Sequence, residues 1–188
     1  MIRHASKTLR TSIYALAFAL LVLPGAAFAH PGHETAGAVQ GFMHPFTGLD
    51  HIVAMLLVGL FAFQLGGRAL WSLPLAFLAA MAVGGFMGAG GPGGVIVEIG
   101  IALSVITLGA AVLLNVKAPI AVATAMVGLF AIFHGFAHGA EMPASVQAIY
   151  YGIGFMAGSA LLIGLGIGSG IVLDAARRAN PSRVRGRG

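Results

Sequence analysis

Long apolar runs, interrupted only by brief glycine, proline or charged punctuation, dominate the chain from residue 45 onward. Five of them reach the roughly 20 residues that a bilayer-crossing helix needs, and they predict spans at about 45–66, 69–89, 94–115, 118–139 and 146–173. The connections are short: Gly66-Gly67-Arg68, the glycine-rich loop from Gly88 to Gly94, Asn115 to Pro119, and Gly139 to Ser145. Such turns predict that sequential helices are antiparallel neighbours. Small residues four apart, as in Gly84/Gly88, Gly154/Gly158 and Gly164/Gly168, predict close helix packing. Pro74 predicts a kink. No internal repeat is present, and five spans do not divide into equal halves, so an inverted-repeat architecture has no support.

The first 29 residues carry a different pattern. Arg3, Lys7 and Arg10 precede a short apolar run, Ile13 to Leu23, followed by Pro24 and Ala27-Phe28-Ala29. That order predicts a cleaved secretory signal, with an uncleaved additional span as the alternative. The expected organisation is a signal at 1–29 and one transmembrane domain at 30–188. The expected fold is an all-α integral membrane bundle of about five helices.

Composition sharpens this picture in three respects. Only 8% of residues are charged and the mean hydropathy is +0.97, against about 25% charged residues in soluble domains. The net charge of +5 resides in helix ends and tails rather than in a basic or aromatic surface, so nucleic acid is not an expected partner. The absence of cysteine excludes disulfides, thiolate metal sites and iron–sulfur clusters. With the N-terminus after cleavage delivered outside, Arg68, Lys117, Arg177, Arg178, Arg183, Arg185 and Arg187 all fall on the cytoplasmic side. This satisfies the positive-inside rule and predicts a periplasmic N-terminus and a cytoplasmic C-terminus.

That orientation places His30, His33, Glu34, His44, Asp50, His51, Glu98, His134, His138 and Glu141 at or near the outer face, and leaves Asp174 among the cytoplasmic arginines. An ionised group at mid-membrane costs roughly 2.5–3.5 kcal/mol on insertion scales, so clustered histidines and carboxylates point to a divalent metal. Within HPFTGLDH, residues seven apart on a helix differ by about 20°, which predicts one stripe of His44, His51 and Met55 running roughly 10–16 Å inward. Asp50 lies about 100° from His51 and is expected to turn toward a neighbouring helix.

Within FHGFAHGAE, His134 and His138 stand at the i, i+4 spacing that lets two imidazoles bind one ion. Glu141 reaches the same face from just beyond the helix end. Gly135 and Gly139 remove side-chain bulk, admitting another helix or a hydrated ion. Imidazole with carboxylate favours first-row transition metals, whereas Mg or Ca would want mostly oxygen. His30, His33, Glu98 and Met55 are weaker ligand candidates. Gln64, Ser104, Thr107, Asn115 and Thr124 are the weak polar groups of the inner half, serving either ion release or helix contacts.

At these residues the chain resembles the HupE/UreJ family of nickel/cobalt permeases. The pattern HxxxxxDH is matched by His44, Asp50 and His51, the pattern FHGxAHGxE by Phe133 to Glu141, and HPGH at His30 to His33 follows the signal as in family members. The resemblance implies uptake of Ni(II), or Co(II), across the bacterial inner membrane. It implies metal ligands at His44, Asp50, His51, His134, His138 and Glu141, with no prosthetic group and no enzymatic activity. The residues alone leave two other readings: an intramembrane zinc enzyme with Glu141 or Asp50 as general base, and a bis-histidine haem b carrier. The expected partners are the metal ion and the lipid bilayer. A second copy of the chain stays open as a partner, and no ATPase motif is present.

Overall fold

The computed structural model describes residues 35–142 and 147–179. The expected signal at 1–29 and the candidates His30, His33 and Glu34 lie outside the described residues. Secondary structure among the described residues is entirely helical. It comprises α1 (Thr35–Met43), a 3-10 turn (His44–Phe46), α2 (Leu49–Leu65), α3 (Ala69–Gly88), α4 (Val95–Leu113), α5 (Ile120–Ala140) and α6 (Ala148–Ala179). Four of these helices are long and apolar enough to cross a membrane, and the number is five if the bent pair α1–α2 is counted as one span. The protein is a multi-pass membrane protein. Large apolar side chains such as Leu75, Phe86, Ile96, Ile106, Leu113 and Ile153 are exposed around the bundle, as expected where lipid is the solvent.

The α1–α2 segment differs from the straight helix expected over 45–66. Its two halves meet at an 80° bend, and local chemistry accounts for the break. Pro45 has no N–H to donate and disfavours helical geometry at the residue before it. Thr47 closes the turn by donating both its backbone N–H and its hydroxyl to the His44 carbonyl, at 3.0 and 2.7 Å. Gly48 is extended (φ −103°, ψ 122°) and caps α2, accepting from the Ile52 N–H. His44 therefore precedes the break while Asp50 and His51 open the helix after it.

Helix pairing follows glycine more than chain order. The most extensive contact joins α3 to α5, and α6 packs on α1 and α2. The sequential pairs α3–α4 and α5–α6 make little or no contact among the described residues, contrary to the expectation from short loops. A turn constrains only helix ends; close approach along the length needs surfaces without side chains. An added Cβ at Gly84 or Gly88 would overlap the carbonyl oxygen of Ile132 or Phe136, and one at Gly135 or Gly139 would overlap that of Met81 or Gly85. The two helices thus interlock through glycines on both sides. Gly154 and Gly158 abut the carbonyls of Ala38 and Phe42 in the same way, but Gly164 and Gly168 face open space. Gly164→Ala is therefore expected to leave the melting temperature unchanged or raise it, whereas Gly84→Ala lowers it, as a thermal unfolding series would show.

Below the histidine cluster the core is apolar. Met55, Phe61, Phe77, Met81, Leu108 and Val127 are fully buried against one another. Met55 belongs to this packing rather than to the histidine cluster. At the opposite end Gln64 donates to the Val112 carbonyl, and Lys117 donates to the Gln64 carbonyl at 2.8 Å. Asp174 accepts from Arg178 Nε at 2.8 Å on the exposed last turns of α6.

Candidate metal site

The bend brings His44 over the C-terminal end of α5. Its Nε2 lies 3.3 Å from Glu141 Oε2, and the same oxygen lies 3.9 Å from His138 Nδ1. His44, His138 and Glu141 each offer a ligand atom within 4.8 Å of the others, the one such group of three among the described residues. Glu141 therefore groups with His44 and His138 rather than with His134. It is the C-cap of α5, its N–H bonded to the Ala137 carbonyl at 3.0 Å, and its carboxylate is exposed where the two histidines are more enclosed.

His51 enters the cluster from α2. Its ring centroid lies 3.9 Å from that of His138 and 4.7 Å from that of His134. The staircase down one straight helix expected for His44 and His51 is replaced by convergence, because the bend carries both residues onto α5. Nor do His134 and His138 act as an isolated i, i+4 pair, since the His51 ring lies within reach of both. Gly135 and Gly139 make room for α3, not for an ion.

Asp50 turns back on its own neighbour instead of reaching toward another helix. Its Oδ1 accepts from the backbone N–H and the ring Nδ1–H of His51, both at 2.9 Å. A Cβ at residue 48 would come within 2.9 Å of His51 Nδ1 and 3.0 Å of Asp50 Oδ1, so Gly48 clears the space this pair occupies. His134 is fully buried, and its Nε2 lies 2.7 Å from the Ser104 hydroxyl of α4. Ser104 is thus part of the site's surroundings, a placement that its position in α4 did not suggest.

Four imidazole nitrogens end without a hydrogen-bond partner among the described residues: His51 Nε2, His134 Nδ1, and both nitrogens of His138. Leaving a buried polar atom unsatisfied costs roughly 1–3 kcal/mol, and four in one cluster are what a site for a Lewis-acidic ion requires. A basin of about 330 Å³ opens beside the cluster at His51, lined also by Asp50, Glu98, Glu141 and the glycine loop at Gly93 and Gly94. Glu98 faces this basin without joining the group of His44, His138 and Glu141. Rings only 3.9–4.7 Å apart leave no room for a porphyrin between them, which removes the haem reading.

A model of the family described as "HupE / UreJ protein" matches residues 18–188. A 150-residue alignment with "Protein HupE" of Rhizobium leguminosarum bv. viciae shows 47% identity, covering 80% of this chain and 78% of the relative. The chain belongs to the HupE/UreJ family. HupE/UreJ proteins are metal permeases, not enzymes, which sets aside the zinc-enzyme reading, and nickel/cobalt transport is the general role. No solved structure matches the fold.

Proposed function

We propose that this HupE/UreJ protein takes up Ni(II), with Co(II) as the second cargo, across the bacterial inner membrane, periplasmic end first. The observation that carries this reading is the convergence of His44, His138 and Glu141 with the unpartnered nitrogens of His51 and His134. Mixed imidazole and carboxylate donors suit these borderline ions. A hydrated ion collects in the acidic basin, sheds water onto the outer triad, and moves to the His51/His134 pair, where no carboxylate is a direct ligand. An inside-negative potential favours inward movement of a 2+ ion by about 4.6 kcal/mol per 100 mV, twice the single-charge value. No partner ATPase is needed for uptake driven this way.

The deciding experiment is accumulation of radiolabelled Ni(II), with Co(II) and Zn(II) as competitors, in metal-uptake-deficient cells expressing wild type or Glu141→Ala. Saturable uptake that is reduced but not abolished in the mutant is expected, with Co(II) competing better than Zn(II). No uptake by well-expressed wild type would sink the reading.

Glu98 acts at longer range, through the negative field of the basin. Glu98→Gln is expected to raise the Ni(II) concentration for half-maximal uptake several-fold at low ionic strength and hardly at all in high salt, because steering of a cation is screened by added ions. An effect independent of salt would instead make Glu98 a direct ligand.

A further inference from the structure

We propose that Ser104 is a positioning residue that commits His134 to its Nε2–H form and so turns the Nδ1 lone pair toward the ion. This rests on the metal-transport reading above and specifies which nitrogen His134 offers.

Ser104 is fully buried at the middle of α4. Its Oγ lies 2.6 Å from the Ile101 carbonyl of its own helix and 2.7 Å from His134 Nε2 on α5. A hydroxyl has one proton, and a carbonyl can only accept. The bond to Ile101 therefore uses the serine proton and leaves Oγ lone pairs facing Nε2, which must carry the imidazole hydrogen. Neutral histidine has one N–H, so Nδ1 holds the free lone pair, and Nδ1 is buried with no partner among the described residues.

Serines in apolar helices commonly bond back to a carbonyl three or four residues earlier, and two others here do only that. Ser159 donates to the Phe155 carbonyl and Ser169 to the Gly166 carbonyl. Ser104 alone among these three carries a second bond, and it goes to a histidine.

His51 reaches the complementary arrangement by another route. Its Nδ1–H is taken by Asp50, so Nε2 is the free atom and is likewise buried without a partner among the described residues. Two rings 4.7 Å apart are thus each clamped at one nitrogen and offer the other. Such outer partners fix tautomer and ring orientation of metal-binding histidines. The clamps differ in charge: a carboxylate behind His51 makes it the stronger donor, while the neutral serine relay behind His134 makes it the weaker one. A weaker inner ligand suits a site that must release its ion inward.

The test is nitrogen-15 NMR of histidine-labelled, metal-free full-length protein in nanodiscs, paired with equilibrium dialysis against Ni(II) chloride. In wild type, the His134 signals, assigned by their loss in His134→Asn, are expected to report the Nε2–H form alone. Ser104→Ala is expected to mix the two forms and weaken Ni(II) binding by about 10–100-fold, with Ser104→Thr, which keeps the hydroxyl, restoring both. A wild-type His134 protonated at Nδ1 would overturn the proposal even if Ser104→Ala failed to fold. So would a Ser104→Ala protein with unchanged tautomer and Ni(II) affinity. Wild type in the Nε2–H form that binds no Ni(II), Co(II) or Zn(II) would support the hydrogen-bond relay and overturn the metal site.

Discussion

Replacing His138 with alanine is expected to abolish Ni(II) accumulation, with a larger effect than His44→Ala or Glu141→Ala. His138 is the residue on which the cluster converges. Its ring lies 4.7 Å from that of His44 and 3.9 Å from that of His51, and Glu141 Oε2 is 3.9 Å from its Nδ1. Both of its nitrogens are buried without a partner among the described residues. Losing His44 or Glu141 removes one donor from the His44/His138/Glu141 group and leaves the His51/His134 pair intact, whereas losing His138 removes a donor and the bridge between the two. Loss of a residue that only supports a ligand typically costs 10–100-fold, so removal of this ligand is expected to cost at least about 100-fold. Initial rates of radiolabelled Ni(II) uptake, normalised to membrane-inserted protein, would measure it. Wild-type rates in His138→Ala would place the ion path elsewhere in the bundle.

Gly135→Val is expected to prevent the bundle from assembling at all. Any side chain at this position meets backbone, with Met81 carbonyl atoms and the Gly85 nitrogen within 3 Å of the first added carbon. Overpacking in a core costs about 1–3 kcal/mol when neighbouring side chains can yield; here the neighbour is the main chain of α3, so the cost lies above that range. His134 precedes Gly135 on the same helix, so separation of α3 from α5 would also carry the histidines out of register. Size-exclusion profiles and thermal unfolding of the detergent-solubilised variant would test this, with Gly164→Ala as the matched control. A monodisperse Gly135→Val protein with wild-type stability would show that α3 and α5 do not interlock through these glycines.

Much of the candidate site is legible in the two motifs, because residue type alone limits what can bind where. Four histidines and two carboxylates in an apolar chain have few other uses. The i, i+4 spacing of His134 and His138 sets both on one face of α5, and both are buried there. The same spacing logic fails for HPFTGLDH, because Pro45 and Gly48 interrupt the helix there. Both residues are helix-breaking signals, and the turn they make is what delivers His44 to Glu141. Asp50 shows a different limit. Its position 100° from His51 suggested a reach toward another helix, but a short carboxylate at the first turn can instead bond the adjacent imidazole and backbone N–H.

By itself, the sequence determined that the chain is helical, crosses a membrane several times, and carries imidazole and carboxylate groups that no lipid-facing role explains. These follow from apolar run length and from the cost of placing polar groups in hydrocarbon, both local properties of the chain. Only the tertiary structure decided which helices touch, that His51 falls between His134 and His138, and that Ser104 from a third helix holds His134. Those depend on backbone close approach at Gly84, Gly88, Gly135 and Gly139, and on the 80° bend. A hydrogen bond between residues 30 positions apart leaves no periodic trace along the chain, because it exists only once packing has brought the two helices together.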